Sequence, residues 1–391
     1  MPRLRPFKAL RYPAASGGVP SRRLIDDPLS APESQRRLWS REDPLHPIHL
    51  AEAVNPESVL RRWRDDGALA QDAEPAFHVL EIQPAGERLT RRPPARYLLG
   101  ALGPEEGLTP LEDEPRDIQG ACAMPAVAAD DHMVLRTLLN EVGARGPAEF
   151  EARSDGHLLR LWRVGSPTLH ARILQALEEV LIRPLGPVPV GKPVLTALAP
   201  LSDPGLHFEP IHRALRGSVF DEEKFLTLVR DYARVYDLEA PLTTAAGLAE
   251  ARERLATLAA GYHAVLLVLP RGRAKLLRFR QALDLAHIKA VPRNPTLRSL
   301  DLSLLNALVF QTVLGIHEPE KPGHPQVFGV PSLEGLIEQV DAGMYQAGFG
   351  LNPPPAWEIR AVMEARQSLP PRTLRLSPLP PAGLLFLSPE G

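Results

Sequence analysis

His212 and Arg213 stand side by side in the segment Pro210-Ile211-His212-Arg213, and their types match proton and phosphate chemistry better than any other adjacent pair. An imidazole exchanges its proton near neutral pH. A guanidinium grips a phosphate through two parallel hydrogen bonds. Asp203 lies nine residues upstream, and a carboxylate there could orient the imidazole. The plainer reading makes both residues polar side chains where a strand meets a loop. Near the N-terminus, Arg5, Lys8 and Arg11 could line the same cavity, although a regular strand puts Arg5 out of phase with Lys8. A solvated basic terminus is the simpler reading of these three.

Other polar groupings carry less. Ser16-Gly17-Gly18 with Arg22 and Arg23 could offer N–H groups to an anion, but it lacks the spacing and the Lys-Ser/Thr ending of a P-loop. His317-Glu318 with His324, or His207 with His212, falls short of the three or four convergent donors that zinc requires, so no metal site is expected. Cys122 is the only cysteine, which excludes an intramolecular disulfide, and a buried structural thiol is expected of it. No G-x-S-x-G elbow, dinucleotide fingerprint or H-E-x-x-H is present.

A formal net charge of −2 gives no global attraction to nucleic acid, whose non-specific binders need clustered Lys and Arg. Only six of the 45 basic residues are Lys, and with 43 Pro this fits the codon bias of a GC-rich genome. The start, Met1-Pro2-Arg3-Leu4-Arg5-Pro6, has no apolar stretch that reads as a signal peptide. The apolar run Ala264 to Leu269 is far too short to span a bilayer. A cytoplasmic protein without a membrane partner is expected.

The elements that must position these side chains are strands and helices without regular βαβ alternation. Residues 1–50 read as an extended, loop-rich segment, followed by a helix from Asn55 to Asp66 ended by Gly67. Three strand pairs stand out, 77–82 with 96–102, 149–153 with 157–163 around Ser154-Asp155-Gly156, and 264–269 with 275–280 around Arg271-Gly272-Arg273. Helical periodicity marks 130–142, 168–183, 221–236, 244–260, 301–314, 332–341 and 355–367. Leu384-Leu385-Phe386-Leu387 could add a last edge strand beyond the Pro-rich 370–381. The predicted fold class is α+β (mixed α/β), with mixed, largely antiparallel sheets and flanking helices. The length divides naturally into an N-terminal α/β region 1–145, a central region 146–300 and a C-terminal helical region 301–391.

Several segments, in order, resemble the domain of unknown function 1015 family, whose members are often labelled ParB-like. They are Arg5-Pro6-Phe7-Lys8-Ala9-Leu10-Arg11; Trp63 with Asp66-Gly67; Glu74-Pro75-Ala76-Phe77; Asp155-Gly156 with Leu161-Trp162-Arg163; Ser202-Asp203-Pro204-Gly205-Leu206 with Pro210 to Arg213; Ser299 to Leu305; and Leu351-Asn352-Pro353-Pro354. The family's A-D-G-H-H-R-Y-E-T-A box, which resembles the phosphate-holding turn of ParB-like, sulfiredoxin-like and free-serine-kinase proteins, has no counterpart. Here 184–192 runs straight into Pro193-Val194-Leu195-Thr196. Other family segments appear only as Asp26-Asp27-Pro28-Leu29, Leu111 to Pro115 and Arg372-Thr373-Leu374.

The resemblance implies a ParB/sulfiredoxin-like core and a catalytically eroded member, a pseudoenzyme with a binding or regulatory role and a small-molecule or nucleotide ligand. The alternative it implies is a small-molecule kinase acting on a serine-type hydroxyl with ATP or ADP and Mg²⁺. Asp203 and Glu209 would then be the acids near His212, and His212, Arg213 and Asp203 would carry catalysis. DNA binding finds no helix-turn-helix or basic patch to support it.

Overall fold

The computed structural model describes all residues except 1–3, 14–20, 26–30, 85–91, 104–108, 113–121, 155, 190, 218–219, 260, 282 and 389–391. The Ser16-Gly17-Gly18 turn, Asp26-Asp27-Pro28-Leu29 and most of Leu111 to Pro115 therefore lie outside the described residues. Two units divide the chain, one of residues 1–207 with 376–391 and one of residues 208–375. These boundaries differ from the contiguous regions 1–145, 146–300 and 301–391, and the strand pairing explains why. A cut at 145 would part strands that form one sheet in the first unit, and a cut at 300 would do the same in the second.

The first unit opens with β1 (Leu4–Arg5) and β2 (Ala9–Arg11), three helices α1 (Glu33–Glu42), α2 (Ile48–Ala51) and α3 (Pro56–Asp65), and β3 (Ala70–Gln71). Then come β4 (Phe77–Pro84), β5 (Ala95–Leu102), β6 (Met124–Ala129), α4 (Val134–Ala144), β7 (Phe150–Ser154), β8 (His157–Val164), α5 (Pro167–Glu178), β9 (Leu181–Pro184) and β10 (Val194–Pro200). The main sheet runs β7-β8-β4-β5-β10-β6-β9, with β1 also on β5. Only β6 and β10 pair in parallel within it. Alternate residues of β4, Phe77 and Val79, join Leu135, Leu138 and Leu139 of α4 and Leu169 and Ile173 of α5 in one core. Period-two alternation on the strand and 3.6 periodicity on the helices meet there.

Local chemistry explains the helix ends. Asn55 caps α3 by accepting the Ser58 N–H, and Gly67 takes φ +73° just beyond it. Helix α1 falls in the stretch read as extended. It buries no side chain, so no apolar stripe announces it, and the Glu33–Arg37 pair on adjacent turns supports it instead.

The second unit contains β11 (His207–Pro210), mostly within it, β12 (His212–Leu215), α6 (Glu222–Val229), β13 (Ala233–Asp237), α7 (Ala245–Ala259), β14 (Ala264–Val268) and β15 (Ala274–Phe279). It continues with α8 (Pro295–Arg298), α9 (Asp301–Leu304), a π-helix Leu305–Val313, β16 (Val327–Val330), α10 (Leu333–Asp341), β17 (Ala347–Gly350), α11 (Ala356–Glu364) and β18 (Leu374–Ser377). Its sheet order is β13-β15-β14-β17-β12-β16, antiparallel at each pairing. Strand β14 is apolar on both faces because both are covered. Val265 and Leu267 join the core containing the π-helix and α6, while Leu266 and Val268 join the core containing α7 and α10. That double cover accounts for an uninterrupted apolar run in the sequence. The periodicity over 168–183 and 221–236 ran too far, since its ends are β9 and β13.

After β18 the chain returns to the first unit, where β19 (Phe386–Leu387) adds to β2, as the apolar 384–387 led one to expect. No helix among the described residues is long and apolar enough to cross a membrane.

Gly205 sits where the chain passes Pro94 closely; a Cβ there would lie 2.3 Å from the Pro94 carbonyl carbon. Neither side of that contact is a flexible side chain, so the backbone must shift. Gly205→Ala is expected to lower stability by roughly 3 kcal/mol, read as an earlier denaturation midpoint with unchanged slope.

Candidate functional site

In β12, successive side chains face opposite cores. Ala214 packs with α7 and α10, Leu215 with the π-helix, and His212 and Arg213 alternate in the same way. Arg213 is 1% exposed. One terminal nitrogen donates to the Ile211 carbonyl at 2.6 Å, the other to the carbonyls of Pro371 at 3.2 Å and Arg372 at 2.9 Å. Such a guanidinium is held by peptide oxygens and ties 371–372 to β12. His212 is 5% exposed, and its Nδ1 accepts the Leu351 N–H at 3.1 Å. Burial, with the nearby Arg213 charge, pushes its pKa down to about 4. The ring is thus neutral, with its proton on Nε2.

Asp203 belongs to the first unit and is 4% exposed. Its two oxygens accept the N–H groups of Gly205 at 2.8 Å and Arg96 at 3.2 Å. Burial raises its pKa, and those two N–H groups oppose the rise. Each of these residues is thus engaged within its own unit. Glu209 is partly exposed and pairs with Arg375 at 2.5 Å. Arg5 is exposed on β1 in the main sheet, whereas Arg11 lies on β2 in a separate small sheet and pairs with Asp72 and Glu149. Lys8 is half-buried between the two strands. Arg5 and Arg11 thus lie in two different sheets, with Lys8 in the chain between them. Cys122 is half-buried, not fully enclosed.

A different constellation gathers acid–base groups in the second unit. A cavity of about 630 Å³ is lined by His263, Asp301, Asn352 and Glu358, with Trp357 and Thr373 beside them. Each comes from the end of an element. His263 precedes β14, Asp301 opens α9, Asn352 follows β17, and Glu358 lies in the first turn of α11. His263 Nδ1 bonds Asp301 Oδ1 at 2.9 Å, which leaves Nε2 as the second ring nitrogen of a side chain 40% exposed. The Asp301 carboxylate raises the His263 pKa, against the effect of burial. Burial raises the Asp301 pKa, opposed by hydrogen bonds from His263, Asn352 and the Ala264 N–H. Asn352 is itself fixed by donating to the Leu255 carbonyl at 3.2 Å.

Glu358 is pushed up to about 7, first by burial and then by the Asp301 charge. The first turn of a helix ordinarily favours a carboxylate by about 0.3–1 kcal/mol. Burial overrides it here. A hydrogen-bonded imidazole and a carboxyl near neutrality can donate, accept and hold protons in the physiological range. Among the described residues, no group of three or more His, Cys, Asp or Glu is arranged to hold a metal ion.

The sequence-derived pair supports this cavity from behind. His212 holds the N–H of Leu351, next to Asn352, and Arg213 holds the carbonyl of Arg372, next to Thr373. Asp301 and Asn352 fall in two of the segments quoted for the family resemblance, Ser299 to Leu305 and Leu351 to Pro354. The available signal was a polar residue at the edge of a strongly apolar element: His263 before an all-apolar strand, Asp301 at the start of an apolar helix.

A sign follows for pH. The folded-state pKa of His212 lies below its ordinary 6.5, so the unfolded chain binds the extra proton first. The stability contributed by neutral His212 is complete above pH 6.5 and is lost as pH falls toward 4. The loss is on the order of 3 kcal/mol at most. His212→Asn, whose amide oxygen can accept the Leu351 N–H without titrating, is expected to flatten the melting temperature between pH 6.5 and 4.5 relative to wild type.

No protein-family model matches the chain, and no curated protein matches it. Among solved structures, a conserved hypothetical protein from Pyrococcus furiosus is similar at 13% identity, covering 68% of this chain and 93% of its own, with a TM-score of 0.30. A free serine kinase in complex with AMP is similar at 13% identity over 73% of this chain and 97% of its own, with a TM-score of 0.30. A mutant of free serine kinase in complex with ADP gives 13% identity, 73% and 98% coverage and a TM-score of 0.29. Overlaps of this extent assign no role to any residue here, and the family likeness stays a resemblance between sequence segments.

Proposed function

We propose that this protein binds a small organic molecule in the cavity formed by His263, Asp301, Asn352 and Glu358, and that His212 and Arg213 brace the walls of that cavity. The observation that carries this reading is the meeting of a hydrogen-bonded His–Asp pair and a second carboxyl in one concave site. Its size lies within the range of roughly 300–1,000 Å³ usual for ligand sites. Its walls are mostly apolar, from Leu300, Leu302, Leu351 and Pro353 to Pro355, with a few convergent polar groups to fix orientation. His263 is the residue placed to move a proton on a bound molecule.

The binding role expected of an eroded family member is retained in this proposal, and the ligand moves to a new place. The phosphotransferase alternative asks for cations that can face a phosphate. No Lys or Arg is among the described residues lining the cavity, and Arg213 is already committed to carbonyls. A polyphosphate would meet two carboxyls there instead.

The test is a thermal-shift and calorimetric screen of the full chain and its His263→Ala variant against small polar organic molecules, serine, and ATP or ADP with and without Mg²⁺. A ligand at a hundredfold excess over its Kd stabilises the folded state by about 2.7 kcal/mol. A melting shift with an organic ligand that disappears in His263→Ala, with none from ATP or ADP, is the expected result. Phosphoryl transfer from ATP or ADP to serine, abolished in His212→Ala but intact in His263→Ala, would overturn the reading and restore the kinase alternative.

A further inference from the structure

The charges around this cavity are unbalanced. His263 and Asp301 neutralise each other through their 2.9 Å contact. Glu358 has no ion-pair partner among the described residues; its charged neighbours are Asp301, of like sign, and His263, already engaged. With all three groups ionised, one negative charge lies in excess beside apolar walls. An uncompensated carboxylate in a partly buried site is costly unless a cation or a proton joins it.

Trp357 adjoins Glu358 in the first turn of α11, lines the same cavity, and is 66% exposed. Tyr262, also on the lining, already has the Arg278 guanidinium over its ring at 4.4 Å, which leaves Trp357 as the aromatic face for a ligand. The face of an aromatic ring attracts cations, an indole most strongly, with about 0.5–1 kcal/mol at exposed sites and about 2 when water is displaced. The consecutive prolines 353–355 fix the approach to α11 and limit the ordering that a ligand must impose.

We infer that the cavity is a site for an organic ammonium ion, its nitrogen held by the Glu358 carboxylate and its apolar body resting on Trp357 and the proline wall. The inference rests on the reading of this cavity as the ligand site. Asn352 and Thr373 provide further oxygen acceptors for the N–H groups of a primary amine. A neutral alcohol of the same skeleton would leave the carboxyl without its cation, and an organic anion would face two carboxyls.

Cation binding favours ionised Glu358, so binding near pH 7 expels a proton from it and affinity rises with pH through about 7. The other titrating groups facing Glu358 are Asp301 and His263. Their mutual bond keeps that pair near neutral overall, so the proton released comes from Glu358.

The experiment titrates the full chain, followed by Trp357 fluorescence and calorimetry, with matched probes: benzylammonium, phenethylammonium and hexylammonium against benzyl alcohol, phenethyl alcohol and hexanol. Wild type, Glu358→Gln and Trp357→Leu are compared at pH 7 in two buffers of different ionisation enthalpy. Expected are saturable binding of at least one ammonium probe and weaker binding of its alcohol. Affinity should fall tenfold or more in Glu358→Gln and severalfold in Trp357→Leu, with buffer-dependent heat in wild type and Trp357→Leu and none in Glu358→Gln. Glu358→Gln also reports its own folding, because loss of a raised carboxyl pKa should raise the melting temperature at pH 8.5 and leave it unchanged below pH 4.5. Alcohols binding as tightly as ammonium probes, with Glu358→Gln indifferent, would overturn the cation assignment and leave the cavity as a ligand site. No binding of any probe, with no ligand in the wider screen sensitive to His263→Ala, would overturn both.

Discussion

Arg213 sets the constraint from which the second unit is built. A guanidinium cannot shed its charge, and at 1% exposure it must be surrounded by acceptors or the fold fails. Peptide carbonyls from two distant stretches, 211–212 and 371–372, supply acceptors. Because those carbonyls belong to the backbone, satisfying the charge fixes the path of the chain. Segment 371–372 is pinned to β12, and Thr373, next in sequence, is delivered to the cavity wall. His212, on the opposite face of the strand, does the same for Leu351 through a neutral ring nitrogen. One dipeptide therefore anchors two of the loops that shape the site.

In the first unit a buried carboxylate, Glu81, is answered by side chains on neighbouring strands. Arg96, Glu81, Arg160 and Glu151 lie opposite one another on β5, β4, β8 and β7, so alternating signs form a ladder across four strands. Cross-strand neighbours of opposite charge are worth roughly 0.2–1 kcal/mol each, and like charges in the same register would oppose the pairing. The ladder therefore also favours this register over a slip. Side chains answer side chains along that ladder, but the first unit also holds a buried guanidinium on backbone: Arg183, 3% exposed, donates to the carbonyls of Thr109 and Pro110 and so fixes that stretch as Arg213 fixes 371–372.

What the sequence revealed follows from which interactions are local. The hairpin 264–269 with 275–280 was legible because its residues are neighbours and both faces of β14 are apolar. The stretch 301–314 was legible as helical, but not that most of it would be a π-helix, whose Leu305 to Phe310 are all buried and so carry little periodic signal. Helix α1 was missed because it has no buried face to write a pattern. The boundary errors at 168–183 and 221–236 have one cause, since a short strand of buried and exposed residues can continue a helical spacing for a turn. Glu358, Asp301 and His263 were missed for a stronger reason. They sit on separate elements, and no spacing in a single chain encodes a convergence made by the sheet order β14-β17-β12.

His212 was picked out for its chemistry, as a His beside an Arg, and that choice shows how residue type and role separate. The types that suit catalysis also suit anchoring: imidazole can accept from a peptide N–H, and guanidinium can bind several carbonyls. Access decides between the two roles. His212 is 5% exposed, with its acceptor nitrogen given to Leu351 and its pKa driven well below neutrality, so it offers no proton at pH 7. His263 has one nitrogen fixed by Asp301, a second nitrogen on a side chain 40% exposed, and a carboxylate that raises its basicity. An aspartate-fixed imidazole at a cavity wall can act on what enters. A desolvated one with its acceptor nitrogen on the Leu351 N–H holds that stretch of backbone.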